Sequence, residues 1–228
     1  MCGRFSLTTP LDALKPLLKG AWPPGLEQRY APRPQVHPGE PLLLLRQEEG
    51  RQAVALALWG LVPDWCDDPR RSRRPINARS ETLQERASFR AAWRHRRCLV
   101  PADGYFEWAG SGASRRPHWI RRRDQAPFWF AGLWERWLGP DGSELETCCL
   151  LTTAANQRLR ALHQRMPVVI PTGLEEPWLA PADGPALRAL APLLEAWDGA
   201  DWEAVPVALS SSQAEPEPLR FQQLQLFG

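Results

Sequence analysis

Residues 41–62 read PLLLLRQEEGRQAVALALWGLV, two apolar runs separated by the segment EEGR. Apolar runs of this length, bounded by turn-forming residues, are typical of β-strands, and the short connection predicts a β-hairpin. Strand-like runs recur at 97–109, 116–123, 126–137 and 145–155, and turn segments such as GSGAS and GPDGS separate them. The residues therefore predict a fold built mainly on short β-strands.

Helices are predicted beside these strands. Segments 9–18 and 80–97 carry apolar residues at helical spacing, and Ser80 is a suitable N-cap for the second of them. Segments 156–165 and 181–199 are further helical candidates. Strands and helices together indicate a mixed architecture.

Size and composition indicate a globular protein. No internal repeat or convincing linker divides the chain, so residues 1–228 are expected to form one domain, with about 15 irregular residues at the C-terminal end. The N-terminus lacks the basic start and apolar run of a signal peptide, and no apolar stretch approaches the roughly 20 residues of a membrane span. We therefore expect a cytoplasmic protein without a membrane partner, associated with the nucleoid if the source is bacterial.

Cysteine and histidine usage argues against a metal or disulfide framework. The five cysteines contain no CxxC pair, and the four histidines are scattered without the spacing of metal ligands. We expect neither a bound metal nor a cofactor.

Positive charge is concentrated in the middle of the chain. Between Cys66 and Arg123 there are 15 arginines against six acidic residues, a local balance of +9 in a protein whose net charge is +2. Such asymmetry fits a polyanion such as nucleic acid, although an arginine-rich face that is merely solvated fits equally well.

The chain opens with MCGRF, so removal of Met1 would expose Cys2 as the new N-terminus. A terminal cysteine presents an amine and a thiol on adjacent carbons. Either the thiolate attacks a carbonyl, as in N-terminal-nucleophile hydrolases, or the amine condenses with an aldehyde and the thiol closes a thiazolidine ring. Only the second reaction requires both groups.

Three polar residues could assist such chemistry. Asn77, in PINARSET, can both donate and accept hydrogen bonds; Glu107 lies between two aromatic residues in PADGYFEWAG; and His163 precedes an apolar run in LHQRMPVVI. Taken singly, a turn or helix cap, a solvent-facing strand residue and a structural histidine are the commoner interpretations.

Tryptophan is unusually frequent, with 12 in the chain. Most are expected in the core. Trp65, however, lies among arginines in the loop VPDWCDDPRRSRR, where an exposed indole could stack on an unpaired base. This combination favours single strands over duplex readout.

Six blocks occur in order within residues 1–171: MCGRF, WGLVPDW, INARSET, RCLVPADGYFEW, LTTAAN and LHQRMPVVI. Together they resemble the SRAP (SOS response-associated peptidase) family of HMCES/YedK-type abasic site processing proteins. Six blocks in sequence are far harder to obtain by chance than any one of them. The resemblance implies a single α+β domain with a curved, barrel-like, mainly antiparallel β core, flanking helices and a cleft for single-stranded DNA.

The resemblance also implies a reaction. In the family, the terminal cysteine crosslinks to the ring-opened aldehyde of an abasic site as a thiazolidine, which shields the lesion during replication and repair. Carried over to the matching positions, Cys2 would form the crosslink, Asn77 would position its amine, Glu107 would move protons, and His163 would assist ring opening or reversal.

Four further positions are implied to bind DNA. Arg4, Arg79 and Arg165 would hold phosphates, and Trp65 would pack against a base. The implied partner is single-stranded DNA containing abasic sites, bound by a monomer.

The chain departs from the family pattern in three places, one of which is the C-terminal segment PVALSSSQAEPEP, a poor match to the family's usual closing strand and asparagine-containing turn. The other two lie earlier in the chain. A short deletion follows Tyr30, and Cys66 stands where relatives often have a second aromatic residue, which predicts weaker stacking. Two other functions remain open: a peptidase that uses Cys2 as its nucleophile, and a single-strand-binding module in which Cys2 is incidental.

Overall fold

The computed structural model describes residues 2–110 and 112–208. The C-terminal residues predicted to be irregular lie outside the described residues. The strands are β1 (Phe5–Leu7), β2 (Arg33–Val36), β3 (Pro41–Glu48), β4 (Arg51–Trp59), β5 (Asn77–Arg79), β6 (Arg97–Ala102), β7 (Gly104–Ala109), β8 (Arg116–Arg122), β9 (Phe128–Leu138), β10 (Glu144–Ala154), β11 (Arg165–Pro167), β12 (Val169–Ile170) and β13 (Trp202–Pro206). The helices are α1 (Leu11–Leu14), α2 (Leu26–Arg29), α3 (Ala87–His95), α4 (Glu175–Leu179) and α5 (Gly184–Ala189), with short 3-10 turns at Gly112–Ser114 and Ala191–Leu194.

A closed ring of five strands forms the centre of the fold. Strand β4 pairs with β3, β3 with β6, β6 with β9 and β9 with β10, all antiparallel, and β10 returns to β4 as a parallel neighbour. The predicted hairpin is confirmed as β3 and β4, and Glu49 and Gly50 at its turn both have positive φ. The mainly antiparallel, barrel-like core of an α+β protein is therefore confirmed.

A second, fully antiparallel sheet lies beside the ring, with strand order β13, β8, β7, β1, β2. Aromatic rings connect the two sheets. Phe5 of β1 contacts Trp59 of the ring edge-on at 5.4 Å and Phe130 at 5.7 Å, and Tyr105 of β7 also contacts Phe130, at 6.1 Å. The residues just before β1 are thereby held over one side of the barrel.

The single strand predicted over residues 97–109 is in fact two strands that belong to different sheets. The break occurs at Asp103, whose carboxylate accepts hydrogen bonds from the backbone and hydroxyl groups of Thr8 and Thr9. At Gly104, a Cβ atom would lie 1.9 Å from Nε1 of Trp119, so the chain can cross between sheets here only with glycine. The prediction failed because these tertiary contacts interrupt an otherwise continuous strand pattern.

The helices are shorter than predicted. Segment 9–18 contains only the single turn of α1, and α3 occupies only the second half of segment 80–97. Segment 156–165 forms consecutive turns, because the Asn156 side chain accepts a bond from the Leu159 amide and donates to the Trp197 carbonyl. Local apolar spacing overestimated these helices, whose ends are set by tertiary hydrogen bonds.

In the described part of the chain, no helix is long and apolar enough to cross a membrane. Within residues 2–110 and 112–208, no group of three or more His, Cys, Asp or Glu side chains is arranged to hold a metal ion.

The Arg97 side chain fastens the peripheral helices to the barrel. It is 4% exposed, and its guanidinium donates to the carbonyls of Trp93 (2.7 Å), Arg94 (3.1 Å), Trp178 (2.8 Å) and Ala180. Burial lowers its pKa to about 10. One buried cation thus satisfies carbonyl groups at the ends of both α3 and α4.

Replacing Arg97 with Met is expected to lower the free energy of unfolding by about 3 kcal/mol, because four carbonyl groups lose a charged donor. Thermal denaturation should show a fall in Tm of roughly 6–12 °C. Arg51→Met, at an exposed position in the β3–β4 hairpin, is the matched control. Equal Tm values for the two variants would contradict the fastening role of Arg97.

Candidate active site

Cys2 lies buried just before β1, with 1% of its surface exposed. Asn77, the first residue of β5, donates from Nδ2 to the Cys2 carbonyl at 2.8 Å. This contact exists because β5 pairs in parallel with β10, with Asn77 opposite Leu150 at the edge of the ring. The two residues are 75 positions apart, yet the bond fixes the backbone that carries the thiol.

Glu107 is the acidic group of this region. It lies on β7 and is 3% exposed, so burial raises its pKa, and the positive charges of His163 and Arg115 oppose the shift only in part. Burial also raises the pKa of the Cys2 thiol, and the charge of Glu107 raises it further. Glu107 is thus within electrostatic range of both Cys2 and His163, in desolvated surroundings that favour neutral thiol and neutral carboxyl forms.

The His163 ring is oriented by the backbone. Its Nδ1 lies 2.9 Å from the Arg165 amide nitrogen and 3.1 Å from the Arg165 carbonyl oxygen, so Nδ1 faces the backbone in either tautomer. The turns of segment 156–163 end in a bond from the His163 amide to the Leu159 carbonyl. This arrangement leaves Nε2 as the position from which a proton can be transferred.

Two predicted arginines flank this cluster near the end of β5. Arg165 makes a bidentate ion pair with Glu81, at 2.5 and 2.9 Å, and donates to the Thr152 carbonyl at 2.6 Å. Arg79 pairs in register with Thr152 and is exposed. The structure therefore brings Arg79 and Arg165 together on either side of β10.

Arg4 lies in a group of stacked side chains whose other members the sequence analysis did not identify. Its Nη1 donates to Oε1 of Gln35 at 3.1 Å, and its guanidinium lies 5.2 Å from the Trp108 ring. Arg115 lies 5.5 Å from the same ring. Trp108 directly follows Glu107 in the motif FEW, a signal that could have indicated it, whereas nothing in the local pattern distinguishes Arg115 or Gln35.

Tyr105 is another residue that the sequence analysis missed. It lies two positions before Glu107 on the same face of β7 and is buried, and its hydroxyl has no hydrogen-bond partner among the described residues. Burial, together with the charges of Cys2 and Glu107, raises its pKa. The floor of the site therefore holds a neutral phenol.

A family model described as SOS response associated peptidase (SRAP) matches residues 1–211. The chain belongs to the SRAP family. It is 34% identical over 212 residues to the abasic site processing protein YoqW of Bacillus subtilis, covering 91% of this chain and 92% of YoqW. It is 33% identical over 187 residues to the abasic site processing protein YedK of Escherichia coli, covering 78% and 79% of the two chains.

Solved structures agree with this assignment. The crystal structure of a protein from Bacteroides thetaiotaomicron matches this SRAP chain with a TM-score of 0.79 at 28% identity, covering 91% of this chain and 92% of that one. The family resemblance drawn from the six sequence blocks is thereby confirmed, and the curated relatives are named for the processing of abasic sites.

Trp65 of this SRAP protein projects from the loop between β4 and β5 and is 61% exposed. The loop is anchored on both sides of this indole. Asp64 lies 3.5 Å from Arg96, and the Cys66 carbonyl accepts a bond from Nε1 of Trp137 at 2.5 Å. Within the described chain, Trp65 makes no ring contact or hydrogen bond with the other predicted site residues.

Two of the departures from the family pattern, after Tyr30 and at Cys66, lie within the described residues. The shortened segment after Tyr30 leads directly into β2, the strand that carries Gln35, and the Tyr30 hydroxyl donates to the Thr9 carbonyl at 2.6 Å. Cys66 is half-buried against a small apolar cluster that includes Trp137. Cys66 therefore packs inward, and weaker stacking beside Trp65 stays a prediction.

An ion pair between Glu135 and Arg96 connects β9 to the Trp65 loop. Glu135, 1% exposed on β9, lies 2.8 Å from Arg96, which also contacts Asp64. Burial raises the pKa of Glu135 to about 7 in spite of the opposing charge of Arg96. A glutamate in the unfolded chain has a pKa of about 4.3. Between about pH 4.3 and pH 7, the folded state therefore binds the Glu135 proton more tightly than the unfolded state does.

The contribution of Glu135 to stability is therefore full below about pH 4 and is lost as the pH rises towards 7. Glu135→Gln should remove this decline, so that the wild type loses about 3 kcal/mol relative to the variant between pH 4.5 and 7.5. Urea denaturation across this pH range measures the difference, with the exposed Glu144→Gln as control. Parallel curves for wild type and Glu135→Gln would show that burial does not perturb this carboxyl group.

Proposed function

We propose that this protein is a covalent sensor of abasic sites in single-stranded DNA, and that it reacts through Cys2 after removal of Met1. The observation that carries the proposal is the position of Cys2, whose carbonyl accepts a hydrogen bond from Asn77 and whose thiol is within electrostatic range of Glu107, which in turn interacts with His163. Membership of a family whose curated relatives are named abasic site processing proteins supports the choice of lesion.

The reaction needs both groups of the terminal cysteine. The α-amino nitrogen attacks the C1′ aldehyde carbon of the ring-opened deoxyribose, and loss of one water gives an imine. The thiol sulfur then bonds to the imine carbon while the thiol proton passes to the imine nitrogen, which completes a thiazolidine. The net change is aldehyde plus cysteine less one water, with no oxidant or reductant required.

Glu107 can serve both proton transfers. Because burial raises its pKa, its protonated form can donate to the departing hydroxyl of the carbinolamine. The resulting carboxylate can accept the proton of the Cys2 thiol, which burial keeps protonated until a base removes it. His163, whose Nδ1 faces the Arg165 backbone, assists opening of the sugar ring and reversal of the crosslink.

Asn77 fixes the reactive residue. Its Nδ2 holds the Cys2 carbonyl, while its buried Oδ1 has no hydrogen-bond partner in the described part of the chain. An acceptor in this position suits the N–H groups that removal of Met1 creates. Asn77 therefore orients the amine towards the aldehyde carbon.

The flanking residues fit a single strand. Arg4, Arg79 and Arg165 are assigned to phosphates, and exposed Trp65 to stacking on an unpaired base. An abasic sugar carries no base to unstack, so exposing it costs little compared with flipping an intact nucleotide. We expect a monomer that acts in the cytoplasm, or with the nucleoid in a bacterium.

Intact mass spectrometry tests the proposal directly. The purified protein should lack Met1 and, after incubation with a single-stranded oligonucleotide carrying one abasic site, should gain the mass of the oligonucleotide less one water. Cys2→Ala should bind the oligonucleotide without forming an adduct, and Cys2→Ser should also give no stable adduct because the oxygen analogue of the ring is less persistent.

Other outcomes would select other functions. A processed N-terminus with no adduct, and equal affinity for intact and abasic strands, would indicate a non-covalent single-strand-binding module. Cys2-dependent cleavage of a peptide library would indicate a peptidase.

Glu107→Gln should slow crosslinking by about 10²- to 10³-fold near neutral pH, because the amide can neither transfer a proton to the leaving hydroxyl nor take the proton of the thiol. Gel-based single-turnover kinetics across pH 5–9 should also show a flattened pH profile. Affinity for an oligonucleotide without a lesion should stay within about twofold of wild type. A rate and profile like those of the Glu144→Gln control would remove Glu107 from the mechanism.

A further inference from the structure

A stripe of three arginines covers the outer face of α3. Arg86 at the N-cap, Arg90 and Arg94 are four residues apart and all exposed, whereas the opposite face buries Phe89 and Trp93. Successive members of the stripe are about 6 Å apart along the helix axis, so the positive charge extends over about 12 Å. We call these three residues the α3 stripe.

The N-terminal part of the stripe is unfavourable for the helix itself, whereas Arg94 in the last turn complements the helix dipole. Like charges four residues apart repel one another, and a basic residue at the N-terminus opposes the helix dipole. Helix α3 has no acidic residue in its first turn and no side-chain cap. In the described part of the chain, no guanidinium of the stripe forms an ion pair, and Glu85 beside Arg86 makes none either.

The stripe lies between two parts of the proposed DNA-binding surface. At its N-terminal end, consecutive turns connect it to Arg79, with the Thr82 amide bonded to the Arg79 carbonyl and the Arg86 amide bonded to the Thr82 carbonyl, each at 3.2 Å. Just beyond its C-terminal end, Arg96 contacts Asp64, the residue before Trp65. Through these contacts the stripe adjoins both Arg79 and the Trp65 loop.

We propose that the α3 stripe binds the phosphate backbone of DNA flanking the abasic site, outside the nucleotides held near Cys2. The inference rests on the proposed function and extends its binding surface. Evenly spaced guanidinium groups without hydrogen-bonding neighbours fit a regular row of phosphates, and they contact DNA without reading its sequence. The partner is thus a phosphodiester backbone.

The salt dependence of binding tests the stripe. Each phosphate contact contributes about 0.7 to 0.9 to the slope of log K against log salt, so Arg90→Gln/Arg94→Gln should reduce the slope by about 1.4 to 1.8 on a long oligonucleotide. Fluorescence anisotropy with a 25-nucleotide strand should show about tenfold weaker binding at low salt. A 5-nucleotide strand offers few phosphates beyond those held near Cys2 and should show a smaller change in slope.

A matched control uses two exposed arginines elsewhere, Arg51→Gln/Arg188→Gln, which should keep the wild-type slope on both strands. A third ligand, which has a duplex flank, shows whether the stripe binds duplex or single-stranded DNA. If the slope changes only on this ligand, the stripe binds duplex DNA. If the slope changes on the 25-nucleotide strand, the stripe binds single-stranded DNA. Unfolding in urea should show little change in stability, since the substitution removes the repulsion between the two arginines and also the favourable charge of Arg94 in the last turn.

An unchanged slope on all three ligands would overturn the inference. That result differs from failure of the proposed function, which is recorded as absence of an adduct between wild-type protein and the 5-nucleotide abasic strand. The salt slope decides the role of the stripe whether or not an adduct forms.

Discussion

The fold and the candidate site both depend on the hydrogen bonds that Asp103 accepts. Its carboxylate lies where the chain passes from the ring into the second sheet, and it binds the backbone and hydroxyl groups of Thr8 and Thr9 directly after β1. A strand of only three residues has few ladder bonds of its own. Asp103 therefore adds to the ladder bonds with β7 and to the Asn77 bond in positioning β1 and Cys2 relative to Glu107.

Desolvation is the second constraint, and it acts on the chemistry. Cys2, Tyr105 and Glu107 are each less than 4% exposed, and burial raises the pKa of all three. A charged nucleophile is unfavourable in such surroundings, so reactivity depends on proton transfer within the pocket. The positive charges of His163 and Arg115 oppose part of the shift at Glu107.

The local pattern predicted the strands better than the helices. The apolar runs and the turn residues between them were sufficient to predict the β3–β4 hairpin. The break at Asp103, in contrast, depends on contacts with residues almost 100 positions away. The Asn77–Cys2 bond likewise spans 75 positions, and no spacing rule indicates it. The ordered motifs grouped Cys2, Asn77, Glu107 and His163 through family resemblance, but Gln35, Tyr105 and Arg115 became visible only once the chain was folded.

The burial of Cys2 also affects how long its thiol remains in the reduced form. Peroxides oxidise the thiolate rather than the thiol, and they require access to the sulfur. A thiol that is 1% exposed and held in its protonated form meets neither condition. Burial therefore protects the Cys2 thiol from accidental oxidation.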